Sequence, residues 1–190
     1  MRSSARRLST EPELYASALR ALMRRAHSIH EMRAYLERRT EDKEIIAPVI
    51  ARLRELRYLD DARYAADYAR QHAESRCQGP FRIARELRGR GVPDRDIEAA
   101  LDAVFSETDE ATLVRTRLKR SLTHVRGALD PRKIASIYRG LLRAGFSADT
   151  IGTELRLALR TYEGLVSSHA EAGASRGDLP DPPEPNTDDG

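Results

Sequence analysis

Two short pairs of polar residues have the types and spacing that simple chemistry requires. His27 and His30 are three positions apart, and two imidazoles on one helix face can bind a transition metal. Asp60 and Asp61 are adjacent carboxylates, which are common general acids and bases. Neither pair has a partnering histidine, acid or nucleophile at a defined spacing. We therefore interpret the histidines as a surface pair beside a helix cap and the aspartates as caps, and predict no catalytic residue, metal site or cofactor.

Arginines form a stronger candidate for a binding surface. Arg82, Arg85 and Arg88 recur every third position, with Arg90 close by, on a segment whose other side is apolar. Such a ridge neutralises phosphates, and binding would then fall steeply with salt. The alternative is that a charged stripe opposite an apolar one is only the solvated face of an amphipathic helix. Two further basic groups are Arg24, Arg25, Arg33, Arg38 and Arg39, and Arg115, Lys119 and Arg120.

The segments that carry these side chains are repeated along the chain. An offset of 51 positions superimposes apolar residues of a first repeat on those of a second, and an offset of 54 superimposes the second on a third. The second offset also aligns Gly91 with Gly145. Repeats of this length indicate stacked helical units, each too small to bury its apolar face alone. Such arrays present a long surface to a partner, which favours binding over catalysis.

The local signals predict an all-α fold, because helix patterns are dense and period-two alternation is absent. Helix starts are predicted at Thr10, Ser28, Asp60-Asp61, Gly79-Pro80, Pro93, Asp109, Asp130-Pro131 and Ser147. Pro48 must either delay its helix or bend it. We predict three tandem three-helix modules. They span residues 10–59, 60–105 and 106–166, after a flexible basic leader at 1–9 and before a disordered acidic tail at 167–190.

Composition and charge indicate a soluble protein with a basic body rather than a membrane-spanning or secreted one. The 190 residues are 40% hydrophobic and 33% charged, and include one cysteine, which fits a soluble protein of a reducing cytoplasm. No segment approaches the roughly 20 apolar residues of a membrane span, and residues 1–10 lack the apolar centre of a signal peptide. Residues 171–190 carry a net charge of −5, which leaves +8 for residues 1–170. This basic body suits nucleic acid or an acidic protein groove, although a GC-rich genome explains part of the arginine excess.

Four stretches of sequence resemble one known family. Residues 57–65, RYLDDARYA, resemble the RecX family of bacterial recombination regulators. RAHSIHEM at 25–32, GPFRIAREL at 79–87 and LRAGFS at 142–147 agree with the same family. The similarity covers about residues 14–160. It implies three tandem three-helix modules in an elongated, curved array and a function that is not enzymatic.

The resemblance also implies a partner and an activity. Members of the family bind RecA, lodging in the helical groove of the RecA filament on single-stranded DNA, where they suppress filament growth, ATP hydrolysis and strand exchange. We therefore expect a cytoplasmic, monomeric regulator of recombination, DNA repair and the SOS response that needs no cofactor or membrane. The candidate contacts with RecA or DNA are Arg82, Arg85, Arg88, Arg90, Tyr58 and Arg63.

Two other functional classes remain open. A helical transcriptional regulator would use one module and its arginines to bind specific DNA without RecA. A helical scaffold would bind some other acidic protein. At the residue level, the competing interpretation is that five residues of the middle module only cap and pack it. These are Asp60, Tyr64, Ile83, Glu86 and Leu87.

Overall fold

The chain is all-α, as predicted, throughout the part that the structure describes. The computed structural model describes residues 8–123 and 129–174, with side chains up to Tyr162 in the last helix. The helices in these ranges are α1 Glu11–Leu22, α2 Ile29–Glu37, α3 Ile46–Glu55, α4 Asp61–Arg76, α5 Pro80–Arg88, α6 Asp94–Glu107, α7 Glu110–Thr123, α8 Pro131–Arg143 and α9 Ala148–Ala174. None of these described helices is long and apolar enough to cross a membrane.

Side-chain caps begin the first two helices of the first module, α1 and α2. Thr10 accepts a hydrogen bond from the first turn of α1, and Ser28 and Glu31 form a complete capping box on α2. Helix α3 begins at Ile46, so Pro48 lies in its first turn. The N–H groups of that turn have no intrahelical acceptor, and the proline therefore removes no helical hydrogen bond.

The same local chemistry delimits the other helices. Asp60 caps α4 and Asp130 caps α8, while Pro80 is the first residue of α5 after Gly79. Gly91 and Gly145 follow α5 and α8 with φ of 70° and 90°, the left-handed conformation in which a helix commonly ends. These residues lie where the sequence predicted helix starts and ends.

Three predicted boundaries differ from the observed helices. Helix α6 continues to Glu107, beyond residue 105. Helix α9 continues to Ala174, so residues 167–174 of the predicted disordered tail are helical, since alanine and glutamate sustain a helix after its apolar period has ended. In the predicted leader, Leu8 packs against the first module and its N–H donates to the Arg39 carbonyl at 2.8 Å. The rest of these two segments, 1–7 and 175–190, lies outside the described residues.

The described residues of the three modules form two hydrophobic cores. The core of α1–α3 includes Leu14, Leu36 and Leu53. A second, continuous core runs from α4 to α9 and includes Leu87 and Phe146. The second and third modules therefore bury their apolar faces together, as expected of stacked repeats. The first module closes its own core, so the prediction that every repeat needs a neighbour for burial is wrong for that module.

Candidate functional site

Charged side chains join the first module to the second. Glu31 of α2 accepts hydrogen bonds from Arg90 Nη1 at 2.9 Å and from Arg25 Nη1 at 3.1 Å. The Tyr64 hydroxyl donates to the same carboxylate at 3.4 Å. Glu31 also completes the cap on α2 by accepting from the Ser28 N–H. One carboxylate thus both starts a helix and binds the neighbouring module; we call this arrangement the Glu31–Arg90 junction.

Backbone groups extend this junction in both directions. The Ser28 hydroxyl donates to the Arg90 carbonyl at 2.6 Å. The Ile29 N–H donates to Asp61 Oδ1 at 2.9 Å, so Asp61 of the second module satisfies a free N–H of α2 in the first. The prediction that Asp60 and Asp61 both cap α4 is therefore only half right, because Asp60 caps α4 and Asp61 caps α2.

A second polar cluster continues from Arg90 along α4 and α5. The Arg90 guanidinium lies 5.0 Å from the centre of the Tyr68 ring, and Tyr68 stacks on His72 with 3.8 Å between ring centres. The Tyr68 hydroxyl donates to Glu86 Oε2 at 2.5 Å, and Arg82 Nε donates to Glu86 Oε1 at 2.8 Å. Two of the predicted contact arginines, Arg82 and Arg90, therefore have intramolecular partners.

The electrostatics of both clusters favour charged carboxylates. Burial by itself would raise the pKa of Glu31, but hydrogen bonds from Arg25 and Ser28 and the charges of Arg25 and Arg90 outweigh it and lower that pKa. The pKa of Glu86 is lowered in the same way, against burial, by Tyr68 and Arg82. Burial and the hydrogen bond to Glu86 raise the pKa of Tyr68 to about 12. Near neutral pH the two glutamates therefore stay charged and Tyr68 stays neutral, so these groups act as structural ties rather than as proton-transfer groups.

The remaining predicted arginines of α5 are more open to solvent. Arg85 is exposed and has no ion pair among the described residues. Arg88 is also exposed, but its Nε donates to Asp94 Oδ1 at 2.7 Å. Arg82, Arg85 and Arg88 all lie on α5. Of these three, only Arg85 has a guanidinium without an ion-pair partner in the described part of the chain.

Tyr58 and Arg63 lie where α3 leads into α4. The Tyr58 side chain is 52% exposed. It follows Arg57, which has a φ of 55° and ends α3 in the left-handed conformation. Arg63 is exposed, and its Nη2 reaches the Arg57 carbonyl at 3.5 Å. The start of α4 lies beside Arg90, through Tyr64 and Tyr68, whereas His72, further along α4, lies beside Glu86. Tyr58 and Arg63 therefore lie toward Arg90 and away from Arg82.

The second and third modules meet through backbone contacts at two glycines. The Gly79 N–H donates to the Ala144 carbonyl at 2.8 Å, and the Phe81 N–H donates to the Gly145 carbonyl at 3.1 Å. A Cβ on Gly79 would overlap with the Gly145 carbonyl, and a Cβ on Gly145 would overlap with Arg82. We call this contact the Gly79–Gly145 junction. Its close backbone approach requires a residue without a side chain on both sides.

Two large apolar side chains remain exposed beside this junction. Phe81 is 66% exposed and Leu142 is 42% exposed. Gly145 connects them, because its carbonyl accepts from Phe81 and its N–H donates to the Leu142 carbonyl. Neither residue is among the contact residues predicted from the sequence. The signal available for Phe81 was an aromatic side chain in the first turn of α5, off the stripe formed by its buried residues.

The two histidine side chains lie in different surroundings. His27 is buried and its Nδ1 lies 2.9 Å from the Arg25 carbonyl, whereas His30 is exposed and packs against Gly91. The interpretation of both histidines as a surface pair is therefore wrong for His27, which fills space behind the α2 cap. Within the described ranges, no group of three or more histidine, cysteine or acidic side chains is placed to hold a metal ion.

Comparison with known proteins finds relatives over most of the chain. Residues 15–53 match the family domain described as "RecX, first three-helix domain", and residues 60–101 match "RecX, second three-helix domain". Regulatory protein RecX of Halorhodospira halophila is 37% identical over 136 residues, which cover 71% of this chain and 81% of that protein. Regulatory protein RecX of Deinococcus radiodurans is 37% identical over 145 residues, which cover 75% and 67%.

The relatives differ in length from this chain. Regulatory protein RecX of Geobacillus kaustophilus is 30% identical over 141 residues, so the chain spans about half of that protein, 52%. A crystal structure of regulatory protein RecX is similar with a TM-score of 0.65 and 25% identity, covering 74% of this chain and 68% of that one. A crystal structure of RecX from Lactobacillus salivarius shares the fold, with a TM-score of 0.69, 22% identity and coverage of 80% and 97%.

Proposed function

The chain belongs to the RecX family, and from this premise we propose that it binds RecA and the RecA filament on single-stranded DNA and inhibits filament extension, ATP hydrolysis and strand exchange. The observation that carries the proposal is the family match, which includes both the first and the second three-helix domain. The role is regulatory and cytoplasmic, with binding rather than a chemical step as its basis. The chain acts as a monomer in this proposal.

The surface proposed for the contact is centred on α5. It comprises Phe81 and Arg85 of α5, with Leu142 of the neighbouring module, and we call it the α5 surface. An exposed aromatic ring beside an arginine is a combination enriched in protein interfaces. The free guanidinium of Arg85 can pair with a carboxylate of a protein or with a phosphate of DNA, and a filament on DNA offers both.

The other candidate residues differ in how directly they would contact the partner. Arg82 and Arg88 flank the α5 surface while paired with Glu86 and Asp94, so a partner that binds them must replace those ion pairs. Arg90 holds the first module in place and contributes indirectly. Tyr58 and Arg63 lie toward the Arg90 end of α5, so they contact the partner only if it reaches beyond the α5 surface. A RecA filament is long enough, because it repeats the same surface along its length.

The first test is RecA ATP hydrolysis on single-stranded DNA while this protein is added below one molecule per RecA. We expect inhibition well below an equimolar ratio, because one molecule bound at or within a filament affects many RecA subunits. An unchanged ATPase rate with RecA from the same organism at low salt would contradict the proposal. Site-specific DNA binding in the absence of RecA would then favour the transcriptional regulator, and binding only to another acidic protein would favour the scaffold.

The second test places the contact on the molecule. We expect the double variant Phe81→Ala/Arg85→Ala to lose about thirtyfold or more in inhibitory potency, because truncating one central aromatic or arginine contact costs about 2 kcal/mol and such losses do not simply add. The matched control is Arg70→Ala. Arg70 is exposed on α4, two positions from both Tyr68 and His72, whose rings face α5. Equal potency of the double variant and the wild type, with equal helicity, would remove the α5 surface from the contact while leaving RecA regulation intact.

A further inference from the structure

A groove of about 700 Å³ lies between α7 and α9 and shares no lining residue with the α5 surface. Its apolar wall includes Leu118 and Leu122 of α7 and Leu157 and Ala158 of α9. Leu157 is 52% exposed, although it stands beside the second hydrophobic core. A mostly apolar groove of this volume is within the range of sites that bind a ligand or a segment of chain.

The rim of this groove is basic. Arg115 lines it and is already paired with Glu154 at 3.0 Å and with Asp109 at 3.4 Å. Lys119 also lines it, is exposed, and has no ion pair among the described residues. An occupant that combines apolar surface with negative charge would therefore match both the wall and the rim.

The chain itself supplies a segment with that chemistry. Residues 175–190, which follow α9, contain five carboxylates and one arginine, together with Leu179 and four prolines. Proline-rich segments favour an extended conformation and lose little entropy when they dock in a groove. The carboxylates match the unpaired charge of Lys119, and the prolines and leucine match the apolar wall.

The lengths agree with an intramolecular contact. Leu157 and Ala158 lie about 16 residues before Ala174, which is about 24 Å along a helix at 1.5 Å per residue. Nine extended residues after Ala174 reach about 28 Å at 3.1 Å per residue, which brings Pro183 level with Leu157. The acids that follow Pro183 can then reach Lys119 on α7.

We propose that the acidic, proline-rich segment 178–189 folds back and docks in the α7–α9 groove of the same molecule. The contact shields Leu157 from water and neutralises the basic rim around Lys119. It goes beyond the RecA proposal, since it involves neither the α5 surface nor any partner. While the segment is docked, the α7–α9 groove of the third module is covered and its rim is less basic. An acidic ligand that binds the groove would compete with the segment and displace it.

The test uses the absence of tryptophan from the sequence. Pro183→Trp in the full chain introduces its only tryptophan, whose emission can be excited apart from that of the seven tyrosines. We expect its emission to be blue-shifted and protected from acrylamide, at a level independent of protein concentration. Emission typical of a fully exposed tryptophan would overturn the proposal. A blue shift that grows with concentration would also overturn it, because the groove would then belong to a second copy.

Two charge variants in the Pro183→Trp background separate docking from general attraction. Lys119→Glu places a negative charge on the groove rim, and we expect it to return the emission toward the exposed value. Arg132→Glu makes the same change in charge at an exposed position of α8 that does not line the groove, and should leave the blue shift in place. Equal effects of the two variants would show only nonspecific electrostatics and would overturn the proposal.

Discussion

At the scale of single residues, Glu31 connects helix capping to module packing. Its carboxylate accepts from the Ser28 N–H within the first module and from Arg90 Nη1 in the second. Removing a partly buried charge leaves its partners desolvated, which costs more than an exposed ion pair does. Arg85, with no such partner in the described part of the chain, is left available for binding instead.

The residue-scale prediction concerns Glu31→Gln. We expect a loss of about 1–2 kcal/mol in unfolding free energy near neutral pH, since the charged hydrogen bonds become neutral ones. The pKa of Glu31 is lowered in the folded state, so its stabilisation is present above the ordinary pKa of 4.5 and is lost as pH falls through the folded value. Denaturant unfolding at several pH values should therefore show the two proteins converging at acid pH.

The matched control for this prediction is Glu37→Gln. Glu37 is exposed at the end of the same helix and has no ion pair among the described residues, so its change should be within about 0.5 kcal/mol. A Glu31→Gln difference that stayed constant from neutral to acid pH would show that the Glu31 carboxylate does not stabilise the junction through its charge.

At the scale of elements, backbone contact at the Gly79–Gly145 junction sets how α5 meets α8. Gly79 is buried, and its N–H donates to the Ala144 carbonyl. Glycine usually lowers the stability of a helix or strand, because it loses more conformational entropy on folding than other residues do. Here its missing side chain is what allows the two backbones to approach.

The element-scale prediction compares two glycine-to-alanine variants. Gly79→Ala should destabilise the protein by about 2 kcal/mol or more, because its Cβ would overlap with the Gly145 carbonyl and overpacking forces the backbone to shift. Gly140→Ala should stabilise it by about 0.5–1 kcal/mol, because Gly140 lies inside α8 and nothing within 4 Å meets its Cβ. Thermal unfolding measures both. Equal effects of the two variants would mean that the close approach is not rigid.

At the scale of the whole molecule, the array divides into two packing units rather than three. The first module has its own core, whereas the second and third share one. The connection between the two units is the polar Glu31–Arg90 junction, which contributes less stabilisation than a shared apolar core. We therefore expect the first module to open independently of the rest.

The molecule-scale prediction uses two leucine truncations. Leu36→Ala should lower native-state hydrogen-exchange protection in α1–α3 by about 2–5 kcal/mol and leave α4–α9 nearly unchanged. Leu87→Ala, a substitution of the same kind in the shared core, should lower protection in both α4–α6 and the described part of α7–α9. If Leu87→Ala affected only α4–α6, or Leu36→Ala affected all helices equally, the division into two units would be wrong.

The sequence by itself determined what depends on neighbours a few residues away. Thr10, Ser28 and Asp60 start helices because their side chains reach N–H groups within the next turn, and such contacts are visible in spacing alone. Gly91 and Gly145 end helices for an equally local reason. The family motifs were likewise readable, and the all-α fold with repeated modules followed from the same patterns.

Only the tertiary structure decided which of the predicted contact residues are free. Glu31 and Arg90 are 59 positions apart, and no periodicity within a helix indicates that they pair. The division into two cores, the assignment of Asp61 to α2 and the exposure of Phe81 depend in the same way on how modules pack. A charged row on a helix has the same appearance in the sequence whether its members bind a neighbour or solvent, because only contacts distant in the chain distinguish the two.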